Sequence, residues 1–316
     1  LLADQPIPLT LERLSQDFAF FDLDPAQLPP VPPGASAQIR LAQGSKIEHR
    51  LLQVLPANAD PQRLRAHPAG SFAATVSEST SALLLIAASG VLLELPTGRT
   101  PTDVAIARDG RVWVSHRHED FLARFDALAG EPGGREGIGQ PQTALALSPD
   151  ETTLAVALAL PQPALLLLDA ASGTPQQRLP LDDEIDELVF GRSRLEIVAS
   201  DQRRKQLLLF DFTPHAGWSR REIPLQRPAR RLARSHDGAQ VFFTSGGHAE
   251  DPVSLLGNHQ MEHHLVTLDV ASGSLKTVRD LSGGDPIEGR NHGIDPVGLH
   301  ATADQLHVVC QGSWQL

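Results

Sequence analysis

Cysteine, methionine and tyrosine are nearly missing from this chain of 316 residues, which has one Cys, one Met and no Tyr. The lone Cys310 excludes an internal disulfide, a Cys-x-x-Cys zinc site and a Cys-x-x-Cys-His attachment for covalent haem within these residues. Long apolar runs are missing as well. A membrane-spanning helix needs about 18 apolar residues, whereas the runs at 154–160 and 164–168 are separated by Pro161 and Pro163, so no transmembrane segment is expected. Positive charge is scarce: 27 Lys and Arg against 38 Asp and Glu leave a net charge of −11. That balance argues against a surface tracking nucleic-acid phosphates, and no nucleic-acid partner is expected. The basic stretch 227–234 reads as a solvated strand edge. Neither a Gly-x-Ser-x-Gly nucleophile elbow nor a Gly-x-x-x-x-Gly-Lys-Ser/Thr phosphate loop occurs. Asn58, Asn258 and Asn291 lack a Ser or Thr two residues on, which removes N-glycosylation. The only methionine is Met261, so residue 1 is not an initiator; a processed product, such as one that has lost a secretion signal, or a fragment is expected.

What remains is 41% hydrophobic and 21% charged, a globular composition. It is organised by recurrence. A unit of proline, an apolar alternation, a tight turn, a β-rich run and a second turn written Asp-x-x-Ser-Gly starts near residues 61, 101, 141, 185, 228 and 296. Successive starts lie 40, 40, 44, 43 and 68 residues apart, and a period of about 40–45 residues fits a four-stranded propeller blade. In the third unit, residues 143–147, 152–160, 164–169 and 176–181 read as strands a to d. Asp109-Gly110, Asp150 and Asp237-Gly238 suit the a-to-b turns, because Asp bonds its own backbone and Gly accepts positive φ. The glycines of 133–139 (GGREGIG) are wrongly spaced for a dinucleotide site and read as the stand-in for a weak strand d. The expected fold is an all-β propeller of four-stranded antiparallel blades, six or seven in number, with the chain a fragment of the ring if seven. Residues 1–60 form an N-terminal segment with a Pro-rich linker at 28–34, its stretches 18–23 and 47–55 being candidate ring-closing strands. Residues 61–316 form the propeller.

The stretches LALSPDETTLAVALA and LLLLDAASGT (within 145–174), and ARSHDGAQVFFTSGG and LVTLDVASGS (within 233–274), resemble the YVTN-type repeats of bacterial propellers related to quinoprotein amine dehydrogenase. This resemblance implies an exported protein, periplasmic or secreted, and a protein partner: a c-type cytochrome or a MauG-like di-haem peroxidase domain. With no Tyr and one Cys, no tyrosine-derived or cysteine-linked quinone can be carried over.

The long fifth unit holds its extra residues in two places, 246–263 between strands b and c and 283–295 before the next strand a. Antiparallel strands bring both connections out at one face, where binding function concentrates on a rigid scaffold. His248, His259, Glu262, His263, His264 and His292 are the candidate metal ligands, since imidazoles with carboxylates suit a divalent ion; His116, His118 and Glu119 end a strand on the same face. His259-Gln-Met-Glu-His263 matches the His-x-x-Glu-His pattern, which needs a helix to work. Glu288 and His292 are the candidate catalytic pair of an acid and a base over the channel mouth. Two functions follow: a binding or docking module, or a metal-dependent lyase or hydrolase at the channel mouth.

Overall fold

The computed structural model describes residues 10–14, 19–22, 61–70, 72–87, 90–247, 262–280, 294–301 and 306–312. These residues hold 24 strands and no helix. Two short strands, β1 (Thr10–Leu14) and β2 (Ala19–Asp22), pair only with each other. Five four-stranded antiparallel meanders follow. Blade one is β3 (Pro61–Ala66), β4 (Ala73–Ser77), β5 (Ala82–Ala87) and β6 (Gly90–Pro96); blade two is β7 (Pro101–Ile106), β8 (Arg111–His116), β9 (Phe121–Asp126) and β10 (Glu131–Gly137). Blade three is β11 (Gln142–Leu147), β12 (Thr153–Leu158), β13 (Ala164–Asp169) and β14 (Pro175–Pro180); blade four is β15 (Glu187–Phe190), β16 (Glu196–Asp201), β17 (Gln206–Thr213) and β18 (Gly217–Pro224). Blade five is β19 (Ala229–Arg234), β20 (Gln240–Gly247), β21 (Glu262–Asp269) and β22 (Leu275–Asp280). A final pair, β23 (Ile294–Ala301) and β24 (Leu306–Gly312), makes a two-stranded sheet with β23 beside β19. The ring therefore shows five complete blades, not the six or seven expected. A recurrence of starts counts first strands, and the start near 296 yields two strands rather than four. Of the candidate ring-closing stretches, 18–23 contributes β2, which does not bond to β24, and 47–55 lies outside the described residues.

Blades pack face to face, and this explains the sequence of the middle strands. A blade buried on both faces cannot alternate apolar with polar, so β12 reads TLAVAL and is buried throughout. Its alternate residues feed different interfaces: Leu154, Val156 and Leu158 pack with Trp113 and Leu122 of blade two, while Ala155 and Ala157 face Leu188, Phe190 and Phe210 of blade four. The outer strands β10 and β14 are exposed. This is why β10 tolerates Pro132 and three glycines: an edge strand has one unpaired side.

The turns follow from local chemistry. Asp169 Oδ1 accepts the Ala171 and Ser172 N–H groups at 3.1 and 2.8 Å, and Gly173 takes φ +77°; Asp269, Ser272 and Gly273 repeat the arrangement. In the a-to-b turn of blade five, Gly238 has φ +69°, and a Cβ there would collide with the Gly191 carbonyl of blade four. Both the backbone conformation and the close approach of two blades require glycine at this point.

Candidate functional site at the channel mouth

The innermost strands lie side by side around the channel, β3 against β7, then β11, β15, β19 and β23. Most share a bulge at the entry end. Register shifts fall between Pro61 and Leu64, Pro101 and Asp103, Gln142 and Ala144, Ala229 and Arg231, and Pro296 and Gly298. Proline, at or just before each of these points, has no N–H for the ladder, and a bulge re-aims the neighbouring side chains. The repeated proline thus marks where each blade turns polar groups toward the channel.

Those groups form an ionic cluster. Arg63 Nη1 lies 2.5 Å from Glu187 Oε1, Arg65 Nη2 lies 3.4 Å from Asp103 and 3.7 Å from Glu187, and Arg231 Nη1 lies 3.9 Å from Glu187 Oε2. Arg63 also donates to the Asp186 carbonyl at 2.7 Å. Three arginines from blades one and five therefore converge on Glu187 of blade four, whose side chain is 1% exposed. Burial pulls the Arg63 pKa down, but Glu187, followed by Asp103, more than reverses this and holds the guanidinium charged. Asp103 is fully buried and spends its oxygens on the backbone as well, accepting the Val104 N–H at 2.9 Å and the Leu145 N–H at 3.1 Å. It ties β7 to β11.

Above this cluster opens a cavity of about 340 Å³. Arg63, Asp186 and Arg231 line it from the inner strands and their entries, and Glu78, Arg117 and Gln202 reach it from the b-to-c connections. The mouth thus lies on the face predicted to carry the long connections. Asp186 has its pKa raised by burial, with the nearby Asp201 adding to the shift, while Gln202 N–H, bonded at 2.9 Å, opposes it. Arg231 is lowered by burial and then by the like charge of Arg63. Most of the stretch 227–234, expected as a solvated edge, is instead the innermost strand β19.

The residues singled out in the sequence fall into two groups. His248, His259, Glu288 and His292 lie outside the described residues. Glu262, His263 and His264 open β21, paired with Gly247, Gly246 and Ser245. This end of the His-x-x-Glu-His stretch is extended, not helical. Among the described residues no group of three or more His, Cys, Asp or Glu is placed to hold a metal. His118 meets Thr100 Oγ1 at 2.8 Å, and Glu119 accepts from Arg99 at 3.1 Å, so these two face protein partners.

His116 is a packing histidine. It is fully buried, its Nε2 accepts the Gly98 N–H at 2.9 Å, and its Nδ1 lies 3.3 Å from the Phe121 carbonyl, an arrangement that satisfies the neutral ring. Burial lowers its pKa. The unfolded chain then binds more protons below about pH 6.5, so this residue's contribution is complete above that value and is lost as pH falls from there through the lowered value of the folded state. Thermal unfolding should show a melting temperature that drops between about pH 7 and pH 5, with a flatter profile in His116→Gln.

No family model and no curated protein sequence matches the chain. Among solved structures, it is similar to Kuenenia stuttgartiensis hydrazine synthase, at 16% identity and a TM-score of 0.64, over 85% of this chain and 77% of that one. At that identity the likeness is one of fold: a β-propeller.

Proposed function

We propose that this propeller is an exported binding module that docks a haem redox protein, a c-type cytochrome or a di-haem peroxidase domain, on its channel-mouth face. One observation carries the choice of face. The b-to-c connection of blade five, 248–261, and the connection to β23, 281–293, leave from the end at which the charged mouth opens. Ion pairs gather at one part of the same end, on the connection 182–184: Arg117 with Glu184 at 3.5 Å, Arg203 with Asp183 at 3.6 Å, and Arg204 with Asp182 at 3.7 Å. Such exposed pairs contribute little to stability, but they can steer a charged partner and set its orientation. The periplasmic or secreted location and the haem partner rest on the resemblance of the repeats.

Calorimetric titration against a di-haem peroxidase domain and a c-type cytochrome tests this. The expected result is an affinity of about 1 μM or tighter for one of them. Replacing 248–261 by a short Gly-Ser linker should abolish binding, whereas changing the Asp109-Gly110 turn at the opposite end should not. Binding to neither protein rejects the haem partnership. Binding indifferent to the linker moves the interface to another face.

A further inference from the structure

We infer that Leu160, with Pro161 and Pro163 beside it, is the apolar anchor by which the channel-mouth face grips its protein partner, seated in an apolar recess on that partner. The inference rests on the docking reading and names the contact that carries it. Four b-to-c connections lie among the described residues, and all four leave at the mouth end. Those of blades one, two and four are polar throughout: Glu-Ser-Thr-Ser at 78–81, Arg-His-Glu-Asp at 117–120 and Gln-Arg-Arg-Lys at 202–205. Of the four, only that of blade three is apolar, Ala-Leu-Pro-Gln-Pro at 159–163. Leu160 is 49% exposed, and Pro161 and Gln162 are exposed beside it. A single exposed leucine is ordinary, but the place of this one is not shared. Among the described residues the other large exposed apolar side chains lie elsewhere: Leu128 and Leu195 in turns at the opposite end, Leu275 and Val278 on the outer strand β22, and Leu64 in the innermost strand β3.

The tip is held rigid from below. Leu160 N–H donates to Glu184 Oε1 at 2.8 Å, and Ala159 N–H donates to the Pro141 carbonyl at 2.9 Å. The Gln162 carbonyl accepts from Gln140 Nε2 and from Arg178 Nη2, both at 3.0 Å. Arg178 Nη2 also donates to Gln140 Oε1 at 3.2 Å, and the prolines at 161 and 163 fix φ on either side of Gln162. The backbone of the knob is thus bonded to the two neighbouring connections, 138–141 and 181–186, while its leucine side chain meets water. Docking ordinarily costs free energy in ordering the loops that take part, and a tip already ordered avoids that cost. Interfaces place apolar contacts at the centre and charged groups at the rim. Glu184 sets this pattern here: one oxygen holds the Leu160 N–H, and the other lies 3.5 Å from Arg117, which lines the cavity. The apolar tip and the ion pairs of 182–184 therefore belong to one surface, and Leu160 exchanges water for an apolar recess when the partner docks.

Calorimetric titration of the whole chain against a c-type cytochrome and a di-haem peroxidase domain tests the anchor, with Leu160→Ala, Leu160→Met and Leu128→Ala beside the parent. Leu160→Ala should weaken binding by about tenfold or more, with a less negative heat-capacity change, because less apolar surface is buried. Leu160→Met, of similar volume, should stay within about threefold of the parent. Leu128→Ala, which shortens a more exposed leucine at the opposite end, should bind as the parent does. Flotation with vesicles of phosphatidylcholine and phosphatidylglycerol supplies a second arm, in which no binding is expected. Binding to neither haem protein fails the docking reading, and the anchor with it. Binding by the parent that Leu160→Ala leaves unchanged, or that Leu128→Ala weakens as much, overturns the anchor alone. Vesicle binding that is lost in Leu160→Ala, with the affinity for the haem protein unmoved, overturns it in favour of a lipid surface.

Discussion

Glu187→Ala is expected to lower the unfolding free energy by about 3–5 kcal/mol, because it removes one member of a buried ion-pair cluster and leaves the others uncompensated. Glu187 is 1% exposed and faces Arg63, Arg65 and Arg231. Arg63, itself only 12% exposed, loses its 2.5 Å partner. Its guanidinium cannot shed a proton to escape burial, as a lysine could. The three like charges would then repel one another in a space bounded by the inner strands. Urea unfolding of the variant measures the loss. Replacing both together, as Arg63→Met with Glu187→Leu, should cost less than Glu187→Ala, because the most buried of the three arginine charges goes with its partner, although Arg65 and Arg231 still lose Glu187. A small loss in Glu187→Ala would mean that water reaches the cluster and screens it.

Phe243→Ala should cost a similar amount, about 3–5 kcal/mol, by a different route. Phe243 lies in β20 at 1% exposure, within the cluster that joins blades four and five: Val198, Leu207 and Leu209 on one side, Leu232, Val241 and Leu268 on the other. Truncation removes the transfer free energy of the ring and leaves a cavity that rigid neighbouring sheets cannot collapse to fill. Val278→Ala on the outer strand of the same blade is the control. Val278 is 52% exposed, and a change within about 0.5 kcal/mol is expected. The urea midpoint should fall for Phe243→Ala with an unchanged slope.

The blade framework was legible because its signals are local. Strand a starts at Pro61, Pro101, Gln142, Glu187 and Ala229, within two residues of each recurring start. The Asp-x-x-Ser-Gly turns could be read because the Asp side chain and the glycine φ act over five residues. The completeness of the last blade could not be read in the same way, since it depends on whether two further strands find partners. The channel was less visible still. Arg63 and Asp186 are 123 residues apart in sequence and meet only after four blades have curved around an axis. The charges of PQRLRA, PTDVAI and PARRLA were on view, but a charge in a strand ordinarily signals a solvated edge. Their position two to four residues after a repeat proline was the available signal, because it places them at or beside the bulge that faces the channel. The histidine-rich stretches drew attention by composition, and of the candidate ligands only Glu262, His263 and His264 fall within the described strands.

A double-mutant cycle between Arg63 and Glu187 most directly tests whether blades one and four face each other across a charged channel. Unfolding free energies of the parent, Arg63→Met, Glu187→Leu and the double variant supply it. A coupling above about 1 kcal/mol is predicted, because the two side chains form a buried pair at 2.5 Å. A coupling below about 0.5 kcal/mol, with the two losses simply adding, would contradict the ring and the mouth built on it.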